Sequence, residues 1–106
     1  MVDVFDASGD LLDAAFGLSI NAFNAAGHAK ARNRLWQDFP WVDFNSISEA
    51  YLAACRLHRF AFTVIAKNQE SQLSSLEIMA CLREQCPGFA ERTYSKAIFQ
   101  ACFENR

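Results

Sequence analysis

Apolar and polar positions in this chain recur at helical spacing, and no stretch alternates as a half-buried strand would. The clearest run is Ser46 to Lys67. On a helical wheel its polar residues Glu49, Arg56, Arg59, Thr63 and Lys67 fall in a narrow arc, with Ser48 at the margin. Ile47, Ala50, Tyr51, Ala54, Cys55, Leu57, Ala61, Phe62, Val64 and Ile65 fill the rest. A helix apolar around most of its circumference has to be covered on several sides. Residues 46–67 are therefore predicted to form a buried central helix. Ser46 and Glu49 have capping-box spacing, which would start it there.

Upstream, a long helical pattern runs from Ser8 or Asp10 to about Gln37. Its apolar side carries Leu11, Leu12, Ala15, Phe16, Leu18, Ile20, Ala22, Phe23 and Ala26, and its polar side Asp10, Asp13, Asn21, Asn24, His28 and Arg32. Each glycine weakens a helix by about 1 kcal/mol relative to alanine, so Gly27 marks a bend or a break. Met1 to Ala7 reads as a short extended lead.

Downstream, Asn68 to Ser71 reads as a polar connection. Ser74 and Glu77 then form a second capping box, with Leu73 and Ile78 at hydrophobic-staple positions. The helix they open is predicted over 75–85, with Leu76, Met79, Ala80 and Leu82 inward. Cys86-Pro87-Gly88-Phe89 is a stop. A last helix runs from near Ala90 to Phe103, with Tyr94, Ala97, Ile98, Ala101 and Cys102 on one face. The prediction is a single all-α domain over 1–106, a small bundle of four helices, or five if the first breaks.

Trp36 to Phe44 holds four aromatics in nine residues, and Pro40 turns Phe39 away from helical geometry. Each aromatic can bury roughly 150–250 Å². Two readings are open: the segment caps one end of the bundle, or it presents an aromatic patch to a partner.

Composition narrows the class. With 106 residues, 52% hydrophobic and 21% charged, the chain can bury a core without staples. No apolar run approaches the roughly 18–20 residues of a membrane span, and the opening Met-Val-Asp-Val-Phe-Asp lacks a secretory pattern. A cytoplasmic protein with no membrane partner is expected. Net charge is −2, unevenly placed: residues 1–50 carry seven acids against Lys30, Arg32 and Arg34, and residues 51–106 carry seven bases against five acids. That imbalance does not by itself indicate nucleic-acid binding. Cys55, Cys81, Cys86 and Cys102 form no Cys-x-x-Cys pair, and are read as reduced core residues rather than disulfides or zinc ligands.

Catalytic readings are weak. His28 falls on a polar face, whereas His58 points inward beside Tyr51, Ala54, Phe62 and Ile65. Cys55 and His58 have the i, i+3 spacing of a nucleophile and base but lack an orienting third group. Asp10 and Asp13 suit a helix N-terminus better than a paired-acid site. The four glycines form no phosphate-binding fingerprint. No enzyme activity, cofactor or metal is expected.

Two functional readings remain. The leading one is a protein-interaction module (adaptor, inhibitor or regulatory subunit, or a homodimer). It would bind through Arg92, Lys96, Phe99 and Phe103 on the outer face of the last helix, with Trp36 and Trp41 as further contacts. The basic arc of Arg56, Arg59 and Lys67 would extend such a surface. The alternative is a helix-turn-helix nucleic-acid-binding regulator built from residues 75–103, with Arg92, Thr93, Ser95 and Lys96 at the start of a recognition helix.

Overall fold

The structure is a computed structural model that describes residues 3–71 and 73–105, with side chains described over 10–68 and 73–105. Its described residues are all-α, a small helical bundle of five helices: α1 (Asp3–Ser19), α2 (Ala25–Asp38), α3 (Phe44–Ser71), α4 (Ser75–Gln85) and α5 (Glu91–Glu104). The chain divides into two compact units, residues 1–55 and 56–106, and α3 runs through both.

In the first unit the long upstream pattern is two helices, with the break earlier than Gly27. Backbone hydrogen bonds tighten after α1: Asn21 N–H donates to Leu18 O at 3.3 Å and Ala22 N–H to Ser19 O at 3.2 Å. The Ser19 hydroxyl donates to Phe16 O at 2.8 Å, competing for the carbonyls that would continue the helix. Asn24 then caps α2, its side chain accepting from Gly27 N–H at 2.8 Å. A Cβ on Gly27 would sit 3.3 Å from that same oxygen, so the glycine gives the cap room rather than breaking the helix. At the other end, α1 begins at Asp3, not after an extended lead. Val2, which was assigned to that lead, lies outside the described residues.

The start of α3 also differs from expectation. Asp43, not Ser46, is the capping side chain, accepting from Ser46 N–H at 3.1 Å and from the Ser46 hydroxyl at 2.8 Å. These bonds favour the ionised carboxylate and hold Asp43 below its ordinary pKa. The predicted connection at 68–71 is instead helical. Along α3, Ile47, Ala50, Tyr51, Ala54, Leu57, Ala61 and Ile65 are buried at helical spacing, while Leu52 and Phe62 are exposed. The helix thus presents a buried stripe rather than being covered around most of its circumference.

In the second unit the Ser74 capping box forms as expected. Glu77 N–H donates to Ser74 Oγ at 3.2 Å, and Ser74 N–H donates to Glu77 Oε1 at 2.8 Å. Ile78 and Leu82 are buried on α4, but Leu76 is 82% exposed and Ala80 is exposed, contrary to their predicted inward placement. On α5, Tyr94, Ala97 and Ala101 are buried as read, joined by Thr93, while Cys102 is exposed.

The two caps make an acid-stability prediction. Asp43 and Glu77 are both held below their ordinary values by cap hydrogen bonds. A depressed folded-state pKa stabilises the fold above the unfolded value, near 4 for carboxylates, and that stabilisation is lost as pH falls through the folded value. Thermal melts between about pH 5 and 2 should show stability falling, with a shallower fall in Asp43→Asn with Glu77→Gln.

Candidate interaction surface

Three constellations in the structure were candidates for chemistry or binding. The first is in unit one, around Tyr51 on α3. Its hydroxyl shares a 2.6 Å hydrogen bond with His28 Nδ1, and the two rings meet edge-on at 5.6 Å. The Arg32 guanidinium lies 5.9 Å from the Tyr51 ring centroid. Burial pushes the Tyr51 phenol up to about 12, so it keeps its proton at neutral pH. His28, read from sequence as part of a polar face, is therefore half-buried and ties α2 to α3. No local spacing signals this contact, because its partners are 23 residues apart. It holds polar groups together in a core, and no cleft opens on it to admit a substrate.

The second is the aromatic segment between α2 and α3. Trp36 Nε1–H donates to Val42 O at 3.1 Å, and the Trp36 ring meets Phe44 edge-on at 5.2 Å. Phe39 and Trp41 pair at 5.5 Å. The segment folds onto itself, yet Trp41 stays 68% exposed, and Trp36 and Phe44 are also exposed.

The third is the α4–α5 corner and the outer face of α5. Gly88 turns the chain with φ of +103°, a conformation side-chain-bearing residues rarely adopt. The Tyr94 hydroxyl donates to Cys86 O at 2.6 Å and receives Phe89 N–H at 3.4 Å, and its ring meets Phe89 edge-on. Tyr94 therefore locks the corner from the first turns of α5. His58, predicted to point into the core, is half-buried and paired with Glu104 at 2.9 Å, while Gln100 also donates to that carboxylate. Asn105 donates to Phe62 O at 3.3 Å. The same unit places Cys86 in the core, where burial raises its thiol pKa.

Across α5 from this packing lie Arg92, Lys96, Phe99 and Phe103, all exposed. Phe99 is 71% exposed and Phe103 55%. At about 100° per residue, Phe99 lies roughly opposite the mid-line of the face formed by Thr93, Tyr94, Ala97 and Ala101. Ser95 is exposed as well, but Thr93 is 0% exposed and cannot present a base contact, which corrects its assignment to a recognition surface. A recognition helix reads DNA through adjacent side chains near its start, and burial of Thr93 removes one of the four expected there.

Among the described residues no group of three or more His, Cys, Asp or Glu could hold a metal ion, and no helix is long and apolar enough to cross a membrane. No family model matches the chain, and no curated protein or solved structure matches it.

Proposed function

We propose that this protein is a helical protein-interaction module that binds through the outer face of α5. The observation that carries the reading is the exposure of Phe99 and Phe103 beside Arg92 and Lys96, on the side of α5 opposite its buried residues. Large aromatics ringed by cations are costly to leave in water and are enriched at the centres of protein interfaces, where a few such anchors supply most of the affinity. The exposed Trp36 and Trp41 extend the set of interface residues in the other unit. An adaptor, inhibitor or regulatory subunit in the cytoplasm fits a small helical chain of this kind.

The test uses immobilised wild-type protein, Phe99→Ala with Phe103→Ala, and labelled duplex DNA at two salt concentrations. Retention of a defined protein partner that drops tenfold or more in the double variant, with an unchanged melting temperature, supports the reading. Affinity for the duplex that falls steeply with salt, and disappears in Arg92→Ala with Lys96→Ala, would replace it with the nucleic-acid one. A collapse of the fold in the Phe variant would return both rings to the core.

A further inference from the structure

Resting on that reading of α5, we infer that the partner of this face is a second copy of the chain, paired antiparallel about a two-fold axis. The exposed residues Arg92, Lys96, Phe99 and Phe103 are spaced four, three and four residues apart. That spacing is the seam of two helices packed side by side, in which apolar positions recur every three and four residues. It also reads the same in both directions. A two-fold axis requires this, because each residue i that meets j must be met by j in return.

The chemistry of the seam is self-complementary only in the antiparallel sense. Turning α5 onto itself about a point between Ala97 and Ile98 sets Arg92 against Phe103 of the other copy, and Lys96 against its Phe99. Each cation then lies over an aromatic ring, and the two-fold repeats each pair. A parallel pairing would set Arg92 against Arg92 and Lys96 against Lys96, stacking like charges. Cation–π contacts at exposed sites each contribute a factor of about two to five in affinity.

The flanks of the helix do not oppose this arrangement. Glu91 lies 3.7 Å from Arg83, and Glu104 is held by His58 at 2.9 Å, so both acids are engaged within their own chain and away from the seam. Burial falls on Thr93, Tyr94, Ala97 and Ala101, leaving the seam the most outward part of α5. A face one helix wide belongs to the small class of interface, below about 1,200 Å² in total, so the dimer is weak and depends on concentration.

Sedimentation equilibrium of the full chain, over concentrations from about micromolar to millimolar, is the measurement. Wild type is expected to show a monomer–dimer equilibrium. Phe99→Ala with Phe103→Ala should remain monomeric, and Arg92→Gln with Lys96→Gln should weaken dimerisation at least about tenfold. The register is tested by exchange. Phe99→Lys alone brings two cations together and should abolish the dimer, whereas Lys96→Phe with Phe99→Lys restores the pairing with its members swapped and should recover it. The helical signal of each variant is read alongside, so that a misfolded variant is replaced by its conservative partner, Phe99→Gln for Phe99→Lys. A wild type that stays monomeric throughout overturns the two-fold pairing but leaves a different protein partner in place. A dimer that survives loss of both Phe residues, or that the exchange fails to recover, overturns it too.

Discussion

Phe16→Ala is expected to lower folding stability by about 3–5 kcal/mol, while Phe23→Ala, seven positions on, should change it by less than about 0.5 kcal/mol. Phe16 is 1% exposed on α1, and Phe23 is 87% exposed in the connection before α2. Removing a fully buried ring forfeits its transfer free energy and leaves a cavity that the surrounding helices fill only in part. Removing an exposed ring forfeits neither. Urea unfolding of the two variants under one set of conditions measures both. Equal losses would mean that the break after Ser19 is not there, since a continuous helix would carry the two rings on neighbouring faces.

The second large effect concerns the corner between α4 and α5. Tyr94→Ala removes a ring that is 2% exposed and is expected to cost about 3–5 kcal/mol, as for other large aromatics. Tyr94→Phe isolates the hydroxyl. It keeps the ring but strips Cys86 O of its 2.6 Å donor, and an unpaired buried acceptor costs about 1–3 kcal/mol. The two variants should therefore fall in that order, separated by the packing of the ring itself. A Tyr94→Phe melt indistinguishable from wild type would show that the corner is held by the Gly88 turn and apolar packing alone.

These contrasts follow what the sequence carried and what it did not. Helix class and the Ser74–Glu77 cap were legible because each is written in residues three or four apart, where one turn of helix brings them together. The alternation at Tyr94, Ala97 and Ala101 was legible for the same reason. Phe23 and Leu76 were misplaced because a wheel assigns faces on the assumption of an unbroken helix and one buried side. The break at Ser19–Asn24 shifts the phase of the wheel, and α4 is short enough to bury only a narrow stripe. Asp43 was passed over as a cap because Ser46-x-x-Glu49 offered the more familiar spacing, although an acid three residues before a serine can cap as well. His28 and His58 were assigned from their own helices, yet their partners Tyr51 and Glu104 lie 23 and 46 residues away. On the candidate surface, the wheel put Arg92, Lys96, Phe99 and Phe103 together, but only burial could remove Thr93 from the neighbouring set.

The passage of α3 through both units sets where this chain can be cut. The boundary between Cys55 and Arg56 falls inside a helix, with no linker to receive it. A split there would strand four carbonyls on one fragment and four amide N–H groups on the other, none with an intrahelical partner. Two-fragment complementation should accordingly fail at that point. It should succeed after Ala22, where the chain has already left one helix and Asn24 stands ready to begin the next. The connectivity thus favours swapping α1 as a cassette over exchanging the two halves.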